Sequence, residues 1–191
     1  MEEATFYIDA SYFIFYRFYA LIQWWNVAKK DEPLTNPIEN EEFVEKFKTT
    51  FITKIKEIPK KCGINSKKTK ITIYAGRDCP RNDIWRRELF PDYKANRNYE
   101  GFQGGPFFEM AYKQDPFRKA GVVATFRNPR LEADDCIAIR IKQQLIKNPV
   151  SEVYIITSDH DYLQMVASNV HIINLRYKKL ADSKSGSYDA K

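Results

Sequence analysis

Seven carboxylates stand where short apolar runs end or helices begin: Asp9, Asp78, Glu132, Asp134, Asp135, Asp159 and Asp161. Acids held together repel one another unless a cation neutralises them, and hard divalent ions prefer carboxylate oxygen. The chain as a whole carries a formal net charge of +6. Acidic clusters on a basic chain predict a divalent metal acting on a phosphate backbone. Each acid alone has an ordinary reading: Glu132, Asp134 and Asp161 suit helix starts, where they complement the macrodipole. The metal reading rests on their conjunction.

For these acids to meet, the elements before them must run side by side. Residues 5–9 form a β-rich run ending in Asp9, and residues 12–28 an aromatic helical stretch. After a charged, proline-containing linker over 29–40, Phe43, Val44, Phe47, Phe51 and Ile55 recur at helical spacing in a helix over 41–58. Residues 70–74 alternate as a strand, 84–97 read as helical with a proline interruption, and 98–106 as a mobile loop rich in Gly, Asn and Tyr. Then come a helix over 107–119, a buried strand over 121–125 and a helix over 131–146. A strand over 153–157, a helix over 161–167 and a strand over 170–173 complete the pattern. Such alternation predicts an α/β domain, a mostly parallel central sheet with helices on both faces. Functional groups in such sheets gather outside the carboxyl ends of the strands, which is where every acid cluster falls.

The 191 residues, 43% hydrophobic, suffice for one core and are read as one domain over 1–191. Cys62, Cys79 and Cys136 are odd in number and widely spaced, which argues against a disulfide framework or a structural zinc site and for a reducing compartment. His160, with no second histidine nearby, reads as a local hydrogen-bonding residue. The acidic start MEEATFYIDA and the lack of a long apolar run predict a soluble, intracellular protein without membrane association. Positive charge is local: residues 54–97 hold thirteen Lys/Arg against five Asp/Glu. A local surplus of that kind suits a nucleic-acid partner. The lysines at 60, 61, 67, 68 and 70 taken alone read as a solvated loop. The aromatic run Tyr12, Phe13, Phe15, Tyr16, Phe18, Tyr19, Trp24 and Trp25 is assigned to the core.

The runs Ile8-Asp9-Ala10-Ser11, Trp85 to Arg97 with its Tyr93-Lys94-Ala95-Asn96-Arg97, Glu132-Ala133-Asp134-Asp135 and Thr157-Ser158-Asp159-His160-Asp161 occur in this order. Together they resemble the flap endonuclease and 5′-3′ exonuclease family, its phage and bacterial branch. The resemblance implies the N-terminal catalytic, PIN-like or resolvase-like three-layer domain of that family. It implies metal ligation by Asp9, Asp78, Glu132, Asp134, Asp135, Asp159 and Asp161, with Asp78 preferred over Asp83 on spacing. The implied cofactor is Mg²⁺ or Mn²⁺, two ions in all.

The resemblance further gives Lys94 and Arg97 catalytic contacts to the reacting phosphate, beside Asp134 and Asp159. Tyr93 would stack on a terminal base, and Arg86, Arg87 and Arg17 would contact nucleic acid. Arg17 stands eight residues after Asp9, one later than in many relatives. The implied activity is hydrolysis of DNA at 5′ ends, flaps or single-stranded branches, and of RNA:DNA hybrids, to 5′-phosphate products in replication or repair. Residues 98–106 fall where the family has its arch over single-stranded DNA, though they also suit a surface turn packed on Phe107 and Phe108. The family's Gly-Asp-x-x-Asp-Asn element and its duplex-gripping helix-turn-helix lie beyond the sequence, which ends Ser185-Gly186-Ser187-Tyr188-Asp189-Ala190-Lys191. That implies an incomplete second metal site. Two other functions stay open: a non-catalytic or weakly active nucleic-acid-binding domain, and a PIN-type ribonuclease.

Overall fold

The structure, a computed structural model, describes residues 2–180, so the tail at 185–191 lies outside the described residues. Strands β1 (Glu2–Asp9), β2 (Thr69–Gly76), β3 (Ala124–Phe126), β4 (Glu152–Ile156) and β5 (Val170–Ile173) form one sheet in the order β3-β2-β1-β4-β5. Every pairing is parallel, so all strands end at the same edge. β1 is central because period-two alternation serves two cores. Phe6 and Ile8 join one apolar cluster, and Tyr7 between them joins the other.

Helices α1 (Ala10–Ala28), α2 (Glu41–Lys61), α4 (Gly105–Lys113) and α5 (Pro116–Lys119) contribute to the larger core. Asn40 starts α2 by accepting the Phe43 amide at 2.9 Å, and Phe43, Phe47, Phe51, Ile55 and Ile58 bury one stripe of it. The smaller core lies under α6 (Ala133–Lys147), where Ile137 and Ile141 meet Val153, Ile155, Tyr162 and Ile172. Among the described residues no helix is long and apolar enough to cross a membrane. Cys62, Cys79 and Cys136 are all unbridged.

Prolines reshape two expected helices. The run expected over 84–97 is helical only in α3 (Arg86–Leu89), because Phe90 before Pro91 is driven to an extended φ of −141°. Turns follow, with Lys94 in the left-handed region at φ 57°. The helix expected over 107–119 splits into α4 and α5 at Asp115, whose φ is 53° before Pro116. Residues 160–165 are a 3-10 helix rather than an α-helix, and β3 keeps only three residues, with Val123 before it 66% exposed instead of buried.

The aromatic run of α1 divides. Phe13, Phe18 and Trp25 are core, whereas Phe15, Tyr19 and Trp24 are exposed, since a 19-residue helix on a sheet has an outer face too. The lysines at 60, 61, 67, 68 and 70 flank the end of α2 and the start of β2, the sheet edge opposite the strand ends, and Lys70 pairs with Glu3 at 2.8 Å.

Candidate active site

Register brings the acids to one edge. Asp9, the last residue of β1, lies opposite Gly76 of β2, and Ile8 lies opposite Ile156 of β4. Asp78 is therefore two residues past one neighbouring strand and Asp159 three past the other. Glu132 caps α6, placing Asp134 and Asp135 in its first turn. α6 comes this close because Gly76 has no side chain: a Cβ there would sit 2.6 Å from Ile137 and 2.9 Å from the Ala133 carbonyl oxygen.

The result is a cleft of about 640 Å³ floored by Asp9, Asp78, Glu132, Asp134 and Asp159 and rimmed by Lys94 and Arg97. Phe15, Tyr99, Phe102 and Phe108 line it as well. Phe102 is held by Phe15, stacked at 5.6 Å, and by the Phe18 edge at 5.8 Å. A Cβ at Gly104 would meet the Phe102 ring at 2.3 Å, so glycine lets the ring lie where it does. Residues 98–104 are thus a packed turn whose aromatics reach the cleft.

The acids fall into two sets. Glu132 is 4% exposed and takes hydrogen bonds from Arg86 at 3.1 Å, from the Tyr93 hydroxyl at 2.9 Å and from Lys94. Asp135 binds the Arg86 guanidinium through both oxygens, at 2.6 and 2.7 Å, and also accepts the Trp85 indole at 3.4 Å and the Glu132 amide at 3.2 Å. Burial opposes charge at Lys94, but Glu132 more than offsets it and raises the lysine's pKa. These outer acids carry their own counter-charges.

The inner set, Asp9, Asp78, Asp134 and Asp159, has no ion pair among the described residues. Its members are held by neutral donors. Asp78 accepts the Ser11 hydroxyl at 2.5 Å and the Ala133 amide at 2.9 Å; Asp9 accepts the Tyr12 amide at 3.1 Å and the Thr157 hydroxyl at 3.5 Å. Asp134 accepts the Asp135 amide at 2.9 Å, and Asp159 the Asp161 amide at 3.0 Å. Burial, then the charges of Asp78, Asp159 and Asp134, push Asp9 up to about 7 against the pull of the Tyr12 amide. Asp134 is raised too, first by burial and then by Asp135 and Glu132.

An all-oxygen set of carboxylates, two of which, Asp9 and Asp134, are pushed toward the neutral form by burial and neighbouring acids, fits a hard divalent ion. Oxygens of Glu132, Asp134 and Asp135 also lie within 4.8 Å of one another, but two of those three already hold cations.

Other expected residues lie apart. Asp161 lines a neighbouring groove with Arg86, Asp134 and Asp135. Asp83 sits in the 3-10 turn Arg81–Asp83, with no buried residue, rather than in the cleft. Arg87 reaches Asn82 at 3.5 Å on the surface. Arg17 is not brought to the cleft: eight residues along α1 is about 12 Å, and its neighbours there are Tyr16, Tyr177 and Glu57. The Tyr93 ring is faced by Lys94 at 5.1 Å and Arg86 at 5.9 Å, so Tyr93 braces the acids, while Phe15, Tyr99, Phe102 and Phe108 form the aromatic wall. Ser11, Thr157 and Tyr112, which meets Ser11 at 3.3 Å, had no role on sequence grounds, because their partners lie 67 or more residues away.

The all-parallel five-stranded sheet flanked by helices, with carboxylates collected at its strand ends, matches a PIN-like α/β fold. Residues 4–189 match the model of the 5′-3′ exonuclease N-terminal resolvase-like domain, and the chain belongs to that family. Flap endonuclease Xni of Yersinia pseudotuberculosis serotype O:1b (strain IP 31758) is 33% identical over 104 residues, 53% of this chain and 39% of that protein. The chain thus matches well under half the length of this relative. A T5 protein co-crystallized with metal ions shares the fold with a TM-score of 0.55, at 16% identity over 92% of this chain and 57% of that one. A bacteriophage T5 flap endonuclease in a pseudo-enzyme-product complex with DNA and metal ions superposes with a TM-score of 0.54, at 16% identity over 92% of this chain and 57% of that one.

Proposed function

We propose that residues 1–191 form one catalytic domain that hydrolyses DNA phosphodiester bonds at 5′ ends, flaps or single-stranded branches, leaving 5′-phosphate products. The observation that carries this reading is the inner set of acids, without an ion pair among the described residues, on the floor of a cleft rimmed by Lys94 and Arg97. Asp9, Asp78, Asp134 and Asp159 would hold Mg²⁺ or Mn²⁺, and Glu132, Asp135 and Asp161 would complete the ion's surroundings. A bound ion supplies Lewis acidity and offsets negative charge at the phosphate.

The chain's own groups do the rest. Ser11, Thr157 and the amides of Tyr12 and Ala133 fix the carboxylates before any ligand arrives, so little reorganisation accompanies binding. Lys94 and Arg97 place positive charge where the reacting phosphate enters, and Lys94 does so by exchanging Glu132 for phosphate oxygen. Phe15 and Tyr99, 45% and 54% exposed, offer faces on which unpaired bases stack regardless of sequence. Access to such faces favours a single-stranded branch over continuous duplex.

The test is cleavage of labelled flap, nicked, single-stranded and RNA:DNA substrates in Mg²⁺ or Mn²⁺, by the wild type and by Asp134→Asn. Metal-dependent 5′-phosphorylated products that disappear in Asp134→Asn are expected. Salt-sensitive binding without cleavage in either metal would overturn the catalytic reading and leave a binding domain. Cleavage confined to RNA would instead support a ribonuclease.

A further inference from the structure

Tyr162 is 2% exposed, and its ring fills the smaller core between Ile137, Ile141 and Ile155. Its hydroxyl is buried without a hydrogen-bond partner among the described residues. Buried polar groups are rarely left so, because they lose water and gain nothing in exchange. Tyr7, in the same cluster, shows the usual solution: its hydroxyl donates to Gln144 at 2.7 Å.

The charges acting on Tyr162, after burial itself, are Asp9, Asp134, Asp78 and Asp159, the four members of the inner set. Tyr162 also lines the groove that holds Asp134 and Asp161, next to the cleft but outside its lining. A phenol is a neutral donor near neutral pH.

We propose that Tyr162 is a positioning residue for the divalent cation of the inner acids, its hydroxyl donating to a carboxylate or water of the ion's coordination sphere. This rests on the metal reading of the cleft given above. A donor on the far side of a metal ligand orients that ligand and tunes its basicity, and losing such a partner typically weakens metal binding about 10- to 100-fold. The side chain acts through the ligands and touches no substrate, so its effect appears in metal affinity before any nucleic acid is added.

Mn²⁺ titration by calorimetry of the wild type, Tyr162→Phe and Tyr7→Phe, with thermal melts of each in EDTA, tests this. Tyr162→Phe keeps the ring and removes only the unpartnered hydroxyl. Its metal-free melting temperature should equal or exceed that of the wild type, while Mn²⁺ binds about tenfold more weakly. Tyr7→Phe should melt lower and bind Mn²⁺ normally. Unchanged Mn²⁺ affinity in Tyr162→Phe overturns the proposal, as does equal weakening in Tyr7→Phe, which would trace the effect to core packing. A lower metal-free melting temperature for Tyr162→Phe overturns it too, since the hydroxyl would then have a partner without the ion. If the wild type bound no Mn²⁺, the metal reading beneath the proposal would fail and the proposal with it.

Discussion

Replacing Asp9 by asparagine should make the metal-free protein more stable and at the same time unable to use metal. Asp9 is pushed from an ordinary carboxylate value up to about 7, by burial first and by Asp78, Asp159 and Asp134 next. Between pH 4 and 7 the native state therefore holds a proton that the unfolded chain has lost, and stability falls as pH rises through that window. A shift of about three units corresponds to about 4 kcal/mol at full strength. Water and salt entering the open cleft screen the charge and leave about 1–2 kcal/mol.

Asparagine removes the charge but keeps the oxygen that accepts the Tyr12 amide at 3.1 Å. In EDTA at pH 8, Asp9→Asn should therefore melt about 2–8 °C above the wild type. The advantage should shrink steadily toward pH 4. Adding Mn²⁺ should reverse the ranking, because only the wild type gains binding energy from the ion. The reasoning is refuted if Asp9→Asn melts below the wild type in EDTA at pH 8, or if the difference does not change with pH.

Three further outcomes follow from particular contacts. Lys94→Ala should slow cleavage about 100-fold, the scale for losing one transition-state charge partner, with single-strand affinity little changed, as single-turnover kinetics would show. Gly76→Ala forces a methyl to within 2.6 Å of Ile137 and 2.9 Å of the Ala133 carbonyl. Pushing α6 away in this manner should cost about 1–3 kcal/mol in urea unfolding and weaken Mn²⁺ binding, since Glu132, Asp134 and Asp135 ride on that helix. Phe15→Ala should reduce affinity for single-stranded DNA by about 1–3 kcal/mol by fluorescence anisotropy and leave Mn²⁺ affinity unchanged.

The expected sheet, helices on both faces and the placing of acids past strand ends all come from local pattern. A β-rich run marks β1, alternation marks β2, helical spacing marks α2, and the motif around Glu132 marks the start of α6. The helices depart from the expected spans where a proline restricts the residue just before it. Phe90 before Pro91 ends α3, Asp115 before Pro116 separates α4 from α5, and the short β3 carries too few residues to show its bounds. Arg17 stands two turns down α1, outside the cleft lining, and Tyr93 turns its hydroxyl to Glu132, placements that residue order does not carry.

By itself the sequence determined that seven acids and a Tyr-Lys-x-Asn-Arg run share a parallel α/β domain, because strand and helix periodicities are local properties that residue order carries directly. Only the tertiary structure decided how those acids divide. Arg86 and Lys94 neutralise Asp135 and Glu132 from 38 to 49 residues away, and Asp9, Asp78, Asp134 and Asp159 are left facing the cleft with an unpartnered tyrosine near them. Counter-charge is set by proximity in space, and strand register together with the glycine-permitted approach of α6 creates that proximity.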